Sequence, residues 1–460
     1  MRKLFSMVAV LGAVMGAPAA WSETLADAFI AAYRNSNLLD QNQAVLRAAD
    51  EDVALAVARL RPVVQYTVQS TYGASEIDTP TGSDWNDGLT TTLNLSANLT
   101  LLDFGRTKLG IQIAEESVLA TRQALVGVEQ NVLLDAVSAY VDVRLQSEIV
   151  ALRQSNQRLI TQELRAAQDR FEVGDVTRTD VALAEARLAE ARSGLSAAEG
   201  DLMLARERYK AATGAYPGRL AALPRAPSTA GSLDAAQSVA LRTHPSIRQQ
   251  QHQAKIADLA VALSKADMAP TLSGRAVIGQ DLGGETGGLG NRSVGLTFNQ
   301  TLYAGGRLSA LYRQSLAQQD QARAALRQVA VVVTENVGRA WAGLSVSAAS
   351  IESGDRQIRA AQTAFDGVRE EATLGARTTL DVLNAEQDLL DARANRLIAE
   401  ANRYVGVYQL LASMGLLTAE HLRLGIPTFD PQAYYNAVRN APATSTQGKK
   451  LDRILEKIGN

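Results

Sequence analysis

The sequence predicts a mainly α chain that contributes strands to a transmembrane β-barrel and is built as an internal duplication. Three observations carry this reading. A unit of about 200 residues occurs twice, which is the first thing to look for in a chain of this length. Each copy holds very long stretches of helical periodicity, and each holds short runs in which apolar and polar residues alternate.

The duplication is read from matched positions. The segment from Leu25 to Pro62 returns from Leu233 to Pro270 at a constant offset of 208, pairing Ala32 with Ala240, Arg34 with Arg242, Asp50 with Asp258 and Leu55 with Leu263. Further on the offset is 201 over more than a hundred residues. It pairs Thr100-Leu101 with Thr301-Leu302, Gly105-Arg106 with Gly306-Arg307, Gly174 with Gly375, Asp180-Val181 with Asp381-Val382, and Gly214 with Gly415. The change of register falls between Pro270 and Thr301. Length alone would suggest about three domains. The repeat replaces that division with a first unit over 23–216, a Pro-rich equatorial linker over 217–232, a second unit over 233–417, and a C-terminal equatorial segment with a flexible tail over 418–460.

The elements follow in order. Met1-Arg2-Lys3 is a short basic start, Leu4 to Ala13 is apolar, and Gly16, Ala17, Ala19, Ala20 and Ser22 are small. That is an export signal over residues 1–22, cleaved before Glu23, with cleavage after Ala19 as the alternative. Residues 25–60 and most of 233–268 are Ala-rich with helical spacing, and Pro62 and Pro270 end those helices. A hairpin then follows in each unit, at about 63–102 and about 271–303. In the first, Leu93, Leu95, Ala97, Leu99 and Leu101 alternate with Asn94, Ser96, Asn98 and Thr100, and the partner strand covers about Val64 to Tyr72. The turn-rich stretch Ala74–Gly88 reads as the connecting loop. In the second, Val294, Leu296 and Phe298 alternate with Gly295, Thr297 and Asn299, and the Gly-rich run 283–290 reads as a surface loop. Helical pattern resumes after Gly105 and Gly306, turns at Gly174 and Gly375, and ends at Gly214 and Gly415. A helix over 106–172 would span about 100 Å, whereas 25–60 and 176–213 would span about 55 Å each. Two short helices end to end therefore match one long one, in a coiled-coil-like wall that needs neighbours.

Composition removes several classes. Lys and Arg total 46 against 48 acids, a net of -2, which argues against a nucleic-acid coat. With no cysteine there is no disulfide, thiolate metal site or lipidated N-terminal Cys. No apolar run after the signal reaches about 18 residues, so a helical membrane span is excluded while a β-barrel is not. Four strands cannot close a barrel. Two chains would supply eight and fill the interior with side chains; three would supply twelve and leave a channel, which favours a trimer.

The most specific stretches are Phe171-Glu172-Val173-Gly174-Asp175-Val176-Thr177-Arg178-Thr179-Asp180-Val181 and Thr373-Leu374-Gly375-Ala376-Arg377-Thr378-Thr379-Leu380-Asp381-Val382-Leu383-Asn384-Ala385. With the duplication, the signal, and the junctions Gly105-Arg106 and Gly305-Gly306-Arg307, this layout resembles the TolC-like family of outer-membrane efflux and type I secretion ducts over nearly the whole mature chain. The resemblance implies a homotrimer with a 12-stranded outer-membrane barrel, set in outer-membrane lipid and continued by a periplasmic α-helical barrel. It implies docking onto a periplasmic adaptor protein and an inner-membrane transporter, with no cofactor, no metal, no nucleic acid and no catalytic residue. By position it places the adaptor-docking tips at Val173, Gly174, Leu374 and Gly375, and the periplasmic gate or latch at Thr179, Asp180, Arg377, Asp381 and Asn384. In that scheme Arg377 bridges to Thr179 and Asp180, and Asp381 forms an acidic ring. Asn384 stands where well-studied members carry a second acidic ring, and Ala372 where they carry a latch tyrosine, which implies a less negative and more loosely tied entrance.

The residues also support plainer readings. Gly174 and Gly375 suit a tight helix–helix turn, and Asp180 and Asp381 suit the first turn of the next helix, where the macrodipole favours an acid. His244, His252 and His421 have no metal-ligand spacing. Tyr66, Tyr72, Phe104, Phe298 and Tyr303 fit either interfacial girdles or ordinary packing, and Tyr140 and Trp341 fit core positions. The sequence holds no Gly-x-Ser-x-Gly, His-Glu-x-x-His or Walker loop, so an enzyme is disfavoured. A periplasmic coiled-coil adaptor is the alternative to a duct, although such proteins usually carry one hairpin rather than two.

Overall fold

Proline and short polar residues set the helix breaks in a computed structural model that describes residues 22–80, 82–282 and 290–439, together with 450 and 453. The stretch read above as an export signal (apart from Ser22), the Gly-rich run up to 289 and most of the tail lie outside the described residues. The element order is helix α1 (Leu25–Asn35), α2 (Asn37–Ala58), strands β1 (Val63–Thr79) and β2 (Gly82–Leu102), α3 (Arg106–Glu172) and α4 (Arg178–Thr213). It then repeats as α5 (Leu233–Thr243), α6 (Pro245–Ala266), β3 (Thr271–Leu282), β4 (Gly290–Asn299), α7 (Arg307–Thr373) and α8 (Thr379–Ser413), with α9 (Pro431–Val438) beyond the repeat. The two long helices have 67 residues each.

Two features differ from the sequence reading. The single helix expected over 25–60 is broken at Ser36, where the backbone turns extended at φ -79 and ψ 102. Neither Gly nor Pro marks the site, but Asn35, Ser36 and Asn37 are residues whose side chains compete for backbone bonds, and the Asn35 amide donates to the Thr213 carbonyl at 2.7 Å. The corresponding break in the second unit is marked by Pro245, which begins α6. Nor is the stretch 74–88 a loop: β1 runs to Thr79 and β2 begins at Gly82. Ladder pairing outweighs the local turn propensity of its Gly, Asn and Asp residues.

Two compact units divide the chain. The first comprises Met1–Ser36, Val132–Thr229 and Ala340–Leu410. Here α4 buries Ala184, Ala191, Ala198 and Ala205, a seven-residue spacing of small side chains. That period belongs to supercoiled helices, and alanine lets their backbones approach closely. Tyr140 is fully buried, as a core residue should be, and its hydroxyl donates to the Glu23 and Ala221 carbonyls at 3.0 and 2.9 Å. Trp341 is only half-buried.

The second unit comprises Asn37–Asn131, Ala230–Arg339 and Leu411–Asn460. It contains one antiparallel sheet in the order β1-β2-β3-β4, so β1 and β4 are its edges. Directly opposed residues share a face. Tyr66, Leu95 and Ile278 stand in one row, which ends in Arg292 on the β4 edge, and Val64, Ala97, Ala276 and Val294 stand in the next, on a mainly apolar face. Thr67 and Asn94, with Asn98 and Arg275, stand on the other, polar face. The apolar face is uncovered: Tyr66, Val68, Leu95, Ile278, Val294, Leu296 and Phe298 are all exposed. So are Tyr72, Phe104 and Tyr303, which leaves none of the five candidate girdle aromatics packed in a core of this chain.

The repeat is not symmetric in what covers it. Asp258 pairs with Arg323 at 3.0 Å on the surface. The same positions in the first copy, Asp50 and Arg122, lie beneath α9: Asp50 is 1% exposed with neither oxygen hydrogen-bonded, and the Tyr435 ring lies 5.3 Å from the Arg122 guanidinium. Burial, partly offset by Arg122, raises the Asp50 carboxyl to about 6.

Candidate gate at the helix-hairpin tips

Both hairpin turns are built alike. After α3, Gly174 takes φ +85 and its N–H reaches the Phe171 carbonyl at 3.0 Å; after α7, Gly375 takes φ +76 and reaches Ala372 at 3.2 Å. These are left-handed positions that a Cβ would strain. Each following helix opens on a capping box. The Thr177 N–H donates to Asp180 Oδ2 at 2.9 Å while the Asp180 N–H donates to Thr177 Oγ1 at 3.3 Å. Thr378 and Asp381 repeat this at 3.0 and 3.2 Å. The placement of both aspartates in the first helical turn is therefore as the spacing predicts, and the Thr-x-x-Asp signal for the boxes is present in the sequence at both sites.

The electrostatics follow from the caps. Hydrogen bonds from Thr177 hold the Asp180 carboxyl below the usual range. For Asp381 the cause is the Thr378 N–H and hydroxyl, helped by the nearby Arg377 charge. Both acids are ionised throughout the physiological range.

The remaining candidates are arranged less simply. Arg377 pairs with Glu371 of its own hairpin at 2.8 Å. Among the described residues the chain makes no bond from Arg377 to Thr179 or Asp180, and Thr179 is exposed. Asn384 is reached from the other hairpin, since Arg187 on α4 donates to its Oδ1 at 2.9 Å while also pairing with Glu190 at 2.8 Å. Ala372 is packed with Phe365, Val382 and Leu389. At the turns themselves Val173 is 74% and Leu374 79% exposed, two apolar side chains presented outward beside Gly174 and Gly375.

One buried pair had no sequence signal. Glu386 on α8 is 3% exposed and accepts from the Asn156 amide on α3 at 2.7 Å, across 230 positions of chain. No group of His, Cys, Asp and Glu able to hold a metal occurs among the described residues. His252 is instead bonded to Glu116 at 2.7 Å, and His244 caps α6.

Paired long helices ending in hairpin tips, joined to strands with one apolar and one polar face, define the class of outer-membrane channel-tunnels. The comparisons agree. The profile described as "Outer membrane efflux protein" matches residues 31–215 and again 236–416, and the chain belongs to that family. It is 36% identical over 436 residues to outer membrane efflux protein BepC of Brucella suis biovar 1, covering 94% of each chain. It is 27% identical to alkaline protease secretion protein AprF of Pseudomonas aeruginosa, covering 74% of this chain and 73% of that one. Among solved structures, the outer membrane protein VceC of Vibrio cholerae superposes with a TM-score of 0.73 at 19% identity, over 85% of this chain and 96% of that one. The chain is an outer-membrane protein extending into the periplasm, with the role of a channel-tunnel in efflux or type I secretion.

Proposed function

We propose that three copies of this chain close a twelve-stranded barrel in the outer membrane and form a passive, non-catalytic duct. It is gated at the hairpin tips and served by a periplasmic adaptor and an inner-membrane transporter. The observation that carries this reading is the four-stranded sheet, with an apolar face, a polar face and two edges. In hydrocarbon every backbone polar group needs a partner, so an open edge is not tolerated and β4 of one chain must meet β1 of the next.

The repeat gives the register of that meeting. In the first hairpin Val63 faces Asn98, and in the second Thr271 faces Asn299. The repeat offsets of 208 and 201 convert 63 to 271 and 98 to 299, so the two hairpins share one register. Within the chain, β2 meets β3 with Ser96 facing Val277 and Ala97 facing Ala276. The same offsets carry these pairs to Thr297 facing Gln69, and Phe298 facing Val68, on the neighbouring chain. Arg106 supports the same logic. It donates to the Ala266 carbonyl ending α6 at 3.0 Å, whereas its repeat equivalent Arg307 is exposed and by offset would seek Ala58 at the end of the neighbour's α2.

At the gate, Arg377 reaches Thr179 and Asp180 between neighbouring hairpins of the assembly, Asp381 supplies a ring of three acids, and Asn384 supplies a neutral ring. The exposed Val173 and Leu374, beside Gly174 and Gly375, are the surfaces for the adaptor.

The chain has no cysteine, so paired cysteines test the register directly. Carrying Thr297→Cys with Gln69→Cys, or Phe298→Cys with Val68→Cys, each chain is expected to crosslink to its neighbour and yield a covalent trimer on non-reducing gels. One of two adjacent pairs is a close, non-hydrogen-bonded pair, so one crosslinks better. Within one chain these positions lie three strand spacings apart, about 14 Å, too far for a disulfide. Thr297→Cys with Thr71→Cys should not crosslink. A product that stops at dimer, or one formed only by the shifted pair, overturns the closure.

A further inference from the structure

The α7–α8 hairpin contains a charge-bearing group that its own geometry does not satisfy. Glu386 is buried against α3, where Oε1 takes the Asn156 hydrogen bond at 2.7 Å, while Oε2 is buried with no partner. A second buried carboxylate, Glu163 on α3, is 7% exposed and pairs with Arg369 on α7 at 3.3 Å. These are the charged groups that act on Glu386: Glu163 from α3 and Arg369 from α7. Its own helix presents Leu383, Leu389 and Leu390, all buried. The position is specific to this hairpin, because the repeat equivalent Glu185 on α4 is exposed. A carboxylate placed among leucines with one bare oxygen is costly to bury, and the neutral acid much less so.

We propose that Glu386 is a proton-dependent positioning residue, whose neutral form seats α8 against α3 and whose ionised form loosens the α7–α8 hairpin as pH rises towards neutrality. Its consequence for conductance rests on reading the tips as the gate. The direction follows from linkage. Burial raises the Glu386 carboxyl to about 7 from its ordinary 4.5; the Asn156 hydrogen bond and Arg369 act against this, and Glu163 adds to it. Between those two values the packed form holds a proton that the loosened form has lost. Packing is therefore strongest below about pH 4.5, weakens from there up to about pH 7, and is level above it. Asp381 and Asp180 cannot produce this profile, because their carboxyls are held low and stay ionised.

Hydrogen exchange of the detergent-purified protein tests it, read on peptides spanning 150–165 and 380–392 and corrected for the intrinsic pH dependence of exchange. In the wild type, corrected exchange of both segments is expected to rise about tenfold or more from pH 5 to pH 8. In Glu386→Gln, a neutral side chain of the same size, it should stay at the slow, low-pH level throughout. Glu163→Gln should shift the midpoint downward without removing the transition, since one raising charge is gone. A flat wild-type profile, or an unchanged transition in Glu386→Gln, overturns the proposal. Bilayer conductance measured on the same samples separates it from the gate reading. If exchange follows the expected course while conductance ignores pH, the brace stands and the tips are not the gate.

Discussion

If the chain assembles as the proposed trimer, Gly415→Ala is expected to abolish its heat-resistant migration on gels, whereas Gly214→Ala at the equivalent repeat position should leave a folded, weakened assembly. The two glycines end α8 and α4 in the same left-handed conformation, with φ +77 and +89, so a Cβ costs each about 1–2 kcal/mol in backbone strain alone. They differ in what that Cβ would meet. At position 214 the obstacle is the Asn35 side chain, whose amide nitrogen would be 2.9 Å away. The Asn35 amide can rotate aside at the loss of its bond to the Thr213 carbonyl, about another 1 kcal/mol, which leaves Asn35 Cβ at 3.1 Å to give by a few tenths of an ångström. At position 415 the Cβ would stand 2.6 Å from His244 Cα, 2.9 Å from its backbone nitrogen and 2.9 Å from the Thr243 carbonyl. That backbone cannot turn away. It is the corner between α5 and α6, fixed by Pro245 and by the Thr243 hydroxyl donating to the Met414 carbonyl at 2.6 Å. We expect about 2–3 kcal/mol for Gly214→Ala and above about 4 kcal/mol for Gly415→Ala. Temperature-dependent gel migration and urea unfolding measure both. Equal losses within about 1 kcal/mol would show that the α5–α6 corner yields and that the steric argument is wrong.

What was legible in the sequence was whatever repeats or has a period. The offset of 201 fixed the long helices as a pair, and α3 and α7 begin at Arg106 and Arg307 accordingly. The tip glycines and first-turn aspartates were legible because a tight turn and a helix start each demand a residue type at a fixed position. The alternation from Leu93 to Leu101 revealed a two-faced strand, but not where it stopped. Pairing extends both strands of that hairpin through Gly73, Gly88 and Asp87, since a neighbour's ladder can hold residues that are poor strand formers alone.

Long-range partners were not legible. Nothing about Glu371 as a type or a spacing announces that it takes Arg377, and nothing marks Arg187 for Asn384. Glu386 reads as one more polar helix residue, as its exposed counterpart Glu185 is. Only the packing of Ile160, Leu383 and Leu389 decides that one of the pair is inside. The break at Ser36 is only half legible: Asn35, Ser36 and Asn37 are short polar residues that favour one, but the Thr213 carbonyl that takes the Asn35 amide lies 178 positions from Asn35. Duplication thus conveys the shared scaffold, while function and asymmetry arise where the two copies have different neighbours.

That difference between copies makes the proposed acidic ring testable. Asp180 and Asp381 carry out the same local task with nearly the same geometry, each closing a capping box with the threonine three residues earlier. Replacing either by asparagine keeps a capping-competent side chain and removes one charge, so any helix-capping loss is common to both. Only Asp381, in the proposed gate, adds three negative charges at the constriction of a trimer. Asp381→Asn is therefore expected to lower cation preference and to weaken block by polyvalent cations by about tenfold, the low end of what focused charge does for local counter-ions. The effect should fade as added salt shortens the screening length to about 3 Å near 1 M. Asp180→Asn should leave selectivity nearly unchanged and instead raise conductance, by freeing the contact with Arg377. Because hydrogen bonds from Thr378 keep Asp381 ionised, the wild-type selectivity should be constant from pH 5 to pH 8, even where Glu386 alters the conductance. Ion selectivity and trivalent-cation block in planar bilayers decide the matter. An Asp381→Asn channel that selects as the wild type does would move the ring elsewhere along the duct; equal loss in both variants would reduce it to a consequence of capping.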